Sequence, residues 1–467
     1  MTPIPAFIIG LLLPTFTGYL IVRALEYKEN VLSWPERLAF ALIIGPTGTL
    51  WLTDLFALWT GLRITLGFML GMQILALGIR LFMNWKNRLS PFSAAVRIHR
   101  NNNKWLHLGL GVFLLFGIIK VALAASVLTF NVPTFFDDSR DNWNFRAKMI
   151  VETGVIPVQI PNEETPGGGV ASYPATIPLM KAWLVSLSGG WSEGLVNSLH
   201  LTWLAAAVLL VGGAVARRRT LAWGLAAAGA LLGLPLLVIH GLHAYVDLCV
   251  AVHIAAVILA FYEADQAQSR ESFRSWLGLG IAVAALLPAL KNEGLVVFFP
   301  SAGLLLLAVL WRSVRRGDSS TRDAGLALAC AIVAAIVTIL PWLAFKWYQG
   351  LAFGNAHAVS DSVFGWQSGV LNAFRFHLFS EGNWLILPGV AAALLALRWR
   401  TAFGDRFVVL TTSCLWIFAA LSGLFLFNGD LGHEALRQTG YGRAMVQVAV
   451  SWMLWVFLLL PDPRTEA

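Results

Sequence analysis

Residues 4–22 read IPAFIIGLLLPTFTGYLIV, and the reading of this run decides the fold. It carries no charge over a length that reaches across a bilayer core of roughly 30 Å. A secretory signal would show a basic stretch ahead of the apolar run and a small-residue cleavage site behind it. Neither is present, so the run is expected to be a retained membrane span.

Runs of the same kind recur along the chain. Of its 467 residues 58% are apolar and only 12% charged, about half the charged fraction of a soluble domain. Spans are predicted near 4–24, 38–60, 64–83, 105–129, 195–216, 221–240, 246–262, 276–290, 294–311, 324–347, 384–399, 407–428 and 444–460. The eighth and ninth would read as one helix but for the break LKNEG at 290–294. Alternating short segments would mark a β-barrel, and a period of 20–50 residues would mark a repeat protein. Neither pattern occurs. The expected fold class is all-α, a polytopic transmembrane helical bundle of about 13 spans. Cys249, Cys330 and Cys414 all fall in predicted spans without CxxC spacing, which leaves them a packing role.

A net charge of +8 can signal nucleic acid, but its distribution argues otherwise. Arg80, Lys86, Arg88, Arg97, Arg100 and Lys104 fill one loop, and Arg217, Arg218 and Arg219 a second. Arg312, Arg315, Arg316 and Arg322 fill a third, and Arg398, Arg400 and Arg406 a fourth. The predicted spans put all four on one side, which the positive-inside rule assigns to the cytoplasm. The N-terminus is then outside and the C-terminus inside. TPGGG at 165–169 reads as a flexible piece of the first large outer loop.

Five polar segments are left for the outer face: 135–148, 240–247, 291–294, 348–383 and 428–443. The most charged is FFDDSRDNWNFRAK, 135–148, with three aspartates, two arginines and a lysine. From Asn142 it has helical spacing, with Trp143, Ala147 and Ile150 on an apolar stripe and Asp138, Asp141, Phe145 and Lys148 on a neighbouring face. Such a helix suits the membrane surface, anchored by tryptophan. Adjacent carboxylates repel, so the Asp137–Asp138 pair asks for a task beyond solvation. In ASYPATIPLMKAW, 171–183, Tyr173 and Lys181 can border a polar headgroup.

HGLHAYVDL, 240–248, gathers His240, His243, Tyr245 and Asp247 at a turn. The spacing matches no zinc signature. Asp247 suits either a helix N-cap or an acid of a site. The turn KNEG places Lys291 and Glu293 at a membrane boundary, where a lysine beside backbone N–H groups is a natural phosphate contact. Arg437, Tyr441 and Arg443 precede the last span on the outer side, against the positive-inside trend, and so point to an anionic partner there. Lys120 and Asp54 lie inside predicted spans, where charge is expensive, with no role assigned by the sequence.

These residues resemble a known family. Asp138-x4-Trp143-x3-Ala147-Lys148, then Tyr173-Pro174 and Pro178-Leu179, is similar to the first outer loop of GT-C glycosyltransferases. Tyr245-x-Asp247-Leu248 and Lys291-x-Glu293-Gly294 look like two later motifs of bacterial members, relatives of protein mannosyltransferases and of enzymes that add aminoarabinose to lipid A. The resemblance covers roughly residues 105–347 and implies a seven-span module beginning at 105–129. It further implies two interfacial helices near 141–153 and 176–189, an aspartate base in the loop, and inverting transfer from a sugar linked to a polyprenyl phosphate. The chain departs from the pattern in carrying three spans ahead of the module. It also has DDSRDNW where relatives often show a single acidic pair.

The expectation is therefore a glycosyltransferase of the bacterial cytoplasmic (inner) membrane with an extracytoplasmic active site. Residues 1–104 would form an N-terminal extension, 105–347 the catalytic core, and 348–467 a C-terminal loop and three spans. Asp138 is the first choice of base, with Asp137 and Asp141 in competition. Arg146, Lys148, Tyr173, His243, Tyr245, Asp247, Lys291, Glu293, Arg437, Tyr441 and Arg443 are the expected donor and acceptor contacts. Lys or Arg can stabilise a leaving phosphate without metal, so no cofactor is required, although paired acids can hold Mg²⁺ or Mn²⁺. Expected partners are the lipid-linked donor, a glycan, lipid or protein acceptor and the bilayer, with no nucleic acid. The alternatives are a transporter or flippase of a lipid-linked glycan, and a non-catalytic scaffold subunit. The first of these favours midplane charge and broken helices.

Overall fold

The computed structural model describes residues 3–26, 28–86, 95–99, 103–157, 173–243, 245–317, 319–351 and 363–461; the TPGGG segment lies outside them. The described residues contain no β-strand. Helices α1 (Pro3–Leu25), α2 (Trp34–Thr60), α3 (Leu66–Lys86) and α4 (Lys104–Leu128) come first. Two short helices follow, α5 (Phe145–Thr153) and α6 (Thr176–Ser188), then α7 (Glu193–Arg218), α8 (Leu221–Gly233) and α9 (Pro235–Leu242). Next are α10 (Asp247–Asp265), α11 (Arg270–Ala284), α12 (Phe299–Arg316) and α13 (Thr321–Tyr348). The chain closes with α14 (Val370–Arg375), α15 (Leu387–Leu397), α16 (Trp399–Ala402), α17 (Val408–Phe427), α18 (Gly429–Leu436) and α19 (Tyr441–Leu459).

Among the described residues eleven helical segments are long and apolar enough to cross a membrane. Two of the thirteen expected spans depart from that description. The sixth is split at Leu234–Pro235 into α8 and α9, which meet at 74°. Proline removes a backbone donor and clashes with the preceding turn. The eleventh is only the short helix α15. These two broken segments touch, Leu236 N donating to Asn383 O at 3.5 Å. Lys120 finds its role here. Its amine donates to Leu232 O at 2.6 Å and so satisfies a carbonyl at the broken end of α8.

Every residue of α10 is buried, and α7, α11, α12, α17 and α19 pack around it. On the outside, α4 buries only Gly117, Val121 and Ala125 and leaves Val112, Phe116 and Leu123 exposed. An apolar surface of that extent is stable against hydrocarbon and not against water. The first three helices join the rest of the bundle through α2, which packs on α6 and α7. Helices α1 and α2 cross through Gly18 and Gly45, and a Cβ on Gly45 would lie 2.0 Å from Pro14 O. Small residues permit such close helix crossings. Gly45→Ala is accordingly expected to lower the thermal unfolding midpoint in detergent, at a cost of about 1–3 kcal/mol. Gly71→Ala, which meets nothing within 4 Å, is the control and should leave the midpoint unchanged or raise it.

Arginines from each of the four basic loops hold one end of the bundle together. Arg217 bridges Glu36 at 2.9 Å and Glu263 at 3.0 Å. Arg219 and Arg398 donate to Leu458 O and Leu459 O at the end of α19. Arg312 and Arg316 hold Asp265, and Arg80 donates to Leu20 O. Buried pairs of this kind are orientational locks more than sources of net stability.

Candidate active site

The acidic loop of residues 135–148 enters the opposite end of the bundle. A π-helical turn over Asp138–Asn144 runs into α5. The expected apolar stripe is present, with Trp143, Ala147 and Ile150 all buried. The π turn carries i→i+5 hydrogen bonds, so α-helical spacing no longer sorts its side chains. Asp138 and Asp141 consequently face different ways. Asp137 and Asp138 line a cavity of about 380 Å³, and Asp141 does not. Asp141 pairs instead with Arg140 at 2.5 Å, whose hydrogen bond holds its pKa below the usual carboxylate range.

Four chain segments meet around the cavity: the acidic loop, the end of the return loop at Tyr173, the 247–293 region and α17–α19. Asp247 is the hub. It is the first residue of α10, and its carboxylate spends nothing on capping the helix. Its Oδ1 accepts from Lys291 Nζ at 3.1 Å and from Gln447 Nε2 at 2.7 Å. Arg443 stands 3.7 Å and His240 3.8 Å from its Oδ2. Lys291 also pairs with Glu293 at 3.0 Å. Burial works against the Lys291 ammonium, but the Asp247 and Glu293 carboxylates outweigh it and hold its pKa well above the ordinary value. The turn that presents Lys291 depends on Gly294, whose Cβ would lie 2.1 Å from Leu287 O.

Arg443 links the hub to the loop. Its guanidinium donates to Asp138 and lies 4.2 Å from the Tyr245 ring centroid, within cation–π range. Tyr245 Oη in turn donates to Asp137 Oδ1 at 3.4 Å. Burial raises the Tyr245 pKa, so the phenol stays a donor. Tyr173 packs on Trp143 at 5.5 Å between ring centroids, and burial raises its pKa too.

Other expected contacts lie elsewhere. Arg146 is buried beneath the loop and donates to Tyr173 O at 2.9 Å and Pro174 O at 3.5 Å. Burial draws its pKa down to about 10, and it does not line the cavity. Lys148 is half exposed and pairs with Glu152 at 3.8 Å. His243 packs between Phe135 and Phe136, and burial draws its pKa down to about 4, which keeps the ring neutral. Arg437 is exposed and does not line the cavity. Tyr441 is buried, shares a hydrogen bond with Ser422 at 3.0 Å and stacks on Phe374. Lys181 borders no headgroup, because residues 176–185 of α6 are buried on every face.

Gln447 and Glu434 are among the cavity residues that escaped the sequence reading. Gln447 lies four residues after Arg443 in α19, on the same helical face, and that spacing is a usable signal. Glu434, on α18, stands at the cavity wall, and partial burial raises its pKa. The other orphan, Asp54, accepts from Ala175 N at 3.2 Å and so fixes the start of α6. Among the described residues no three His, Cys, Asp or Glu side chains converge in a metal-holding group.

The fold and site define a multi-pass helical membrane protein with a charged cavity at one end of its bundle. No family model matches the sequence, and no curated protein does.

Proposed function

We propose that the protein is a GT-C-type glycosyltransferase of the bacterial inner membrane. In this reading it transfers a sugar from a polyprenyl phosphate to an extracytoplasmic acceptor with inversion. The observation that carries the reading is the meeting of Asp138 and Asp137 with Arg443 and Lys291 around one cavity. A second feature suits a lipid-linked donor. An apolar groove of about 230 Å³ runs between α10, α12 and α17, lined by Ile258, Phe298 and Ile417. Ile417 is one helical turn from Leu421, which lines the cavity. A phosphate at the cavity would thus have a place for its isoprenoid tail beside it. The gathering of the arginine loops at the other end, under the positive-inside rule, supports an outward cavity, an external N-terminus and a cytoplasmic C-terminus.

The chemistry follows from the pairs. Asp138 is engaged by Arg443 before substrate arrives. The donor phosphate competes for that guanidinium, because Arg binds phosphate oxygens in fork geometry. Phosphate binding therefore frees the Asp138 carboxylate next to the site of attack. Asp138 takes the acceptor hydroxyl proton, the acceptor oxygen bonds to the anomeric carbon, and the bond from that carbon to the phosphate oxygen breaks. Arg443 and Lys291 stabilise the charge left on the phosphate. Asp247 holds both cations in place.

The test uses purified protein in lipid nanodiscs supplied with polyprenyl-phosphate sugars and candidate acceptors. Acceptor-dependent release of polyprenyl phosphate is expected. In sealed vesicles, lipid-linked sugar that crosses the bilayer unconsumed would establish the transporter instead. Lys148→Ala and Arg437→Ala, both away from the cavity, are expected to retain wild-type turnover and to shift stability by no more than about 0.5 kcal/mol.

A further inference from the structure

Lys181 is fully buried, although lysine is among the residues least often found so. Its amine donates to Asn144 Oδ1 at 2.7 Å, the acceptor it has among the described residues. Asn144 is the last residue of the π-helical turn that begins at Asp138. The other end of its amide is also committed. Nδ2 donates to Asn197 Oδ1 at 3.1 Å and stands 3.4 Å from Thr134 Oγ1. Asn197 Nδ2 donates to the same hydroxyl at 2.8 Å, and Thr134 N donates to Glu193 Oε2 at 2.7 Å. The strand of chain entering the acidic loop and the helical turn leaving it are thus tied to one buried network spanning α6 and α7.

We infer that Lys181 is a positioning residue: through Asn144 it sets the π-helical turn and so aims Asp137 and Asp138 into the cavity. The inference rests on the proposed transfer reaction only for its kinetic consequence. The Lys181 amine donates to Asn144 Oδ1 and Asn144 Nδ2 donates to Asn197, which together hold the amide with Oδ1 toward α6 and Nδ2 toward Asn197. Asn144 cannot rotate without leaving two buried partners unmatched. The π-helical turn would otherwise relax toward an α-helix, and the aspartates ahead of it would turn away from Tyr245 and Arg443. Burial also pulls the Lys181 pKa well down, in keeping with a hydrogen-bonding role inside the bundle and not an exposed phosphate contact.

Lys181→Met keeps the stem and removes the amine. Leu184→Ala is the matched control: Leu184 is one turn on in the same helix, buried, and outside the network. Full-length variants in nanodiscs would be followed by hydrogen exchange, thermal unfolding and steady-state kinetics. Lys181→Met is expected to speed exchange over residues 137–145 and to lower kcat by about tenfold to a hundredfold, the scale of a small misplacement. KM for the lipid-linked donor should hold, since Lys291 and Arg443 are untouched. Leu184→Ala is expected to lose thermal stability with exchange over 137–145 and kcat unchanged. Unchanged exchange and kcat in Lys181→Met would overturn the inference. So would kcat losses that merely track the thermal losses of both variants. If the wild type transfers no sugar, the functional reading fails alone, and exchange over 137–145 still decides the role of Lys181.

Discussion

Asp138→Asn is expected to lower sugar transfer by about 10²–10⁴-fold, the contribution of a placed general base. Asparagine keeps the shape of the side chain but cannot take a proton from the acceptor hydroxyl. Donor binding should survive or improve, because Arg443 no longer has to leave a carboxylate to meet the phosphate. The expected signature is therefore a fall in kcat with an equal or lower KM for the lipid-linked donor. Asp137→Asn is expected to cost less, since Asp137 is held by the Tyr245 hydroxyl and by the Asp138 backbone N–H and orients its neighbour. Asp141→Asn should remain within a few-fold of wild type, because Asp141 faces Arg140 outside the cavity. Kinetics of the three variants in one preparation separate the roles. Wild-type turnover in Asp138→Asn would remove the base from this loop, and a large loss in Asp141→Asn alone would require a different loop conformation.

The spans were legible because membrane helices advertise themselves by length and composition, so eleven of thirteen expected positions hold a continuous helix. The two that do not were hidden by what hydropathy averages over. Pro235 breaks α8 from α9 within an apolar run, and the repair, Lys120 on Leu232 O, comes from a different helix. The convergence of Asp247, Lys291 and Arg443 was also legible in outline, since each is a charge at a span end on the same side. Arg146, His243 and Tyr441 lie off the cavity, and the sequence did not show it for one shared reason. Polar residues near an interface look alike in sequence whether they face a ligand or bind backbone and aromatic rings beneath it. The π-helical turn left no mark at all in the spacing of Asp138 and Asp141, because a change of helical register is a tertiary outcome. Tertiary partners decide it, here Arg443 at one end of the turn and Lys181 at the other.

Asp247→Leu is expected to produce the largest loss of stability of any single change at the site. The wild-type carboxylate is buried and engaged by Lys291, Gln447 and Arg443 together. Removing it leaves the Lys291 ammonium buried with Glu293 as its remaining counter-ion among the described residues. Breaking a buried pair from one side costs about 3–5 kcal/mol, mostly because the surviving charge stays desolvated. Thermal unfolding in detergent should show a markedly lower midpoint, and transfer should vanish because both cations proposed to bind the phosphate lose their anchor. The double variant Asp247→Leu/Lys291→Met removes the stranded charge as well. Replacing a whole buried pair by apolar groups is often near neutral, so this variant should regain most of the lost stability. It should regain no activity, since Lys291 is then missing from the leaving phosphate. That divergence distinguishes a site that holds its charges for chemistry from one that holds them to keep the helices together. If stability and transfer return in parallel, the Asp247–Lys291 pair is a fastener, and the leaving phosphate must be met by Arg443 without it.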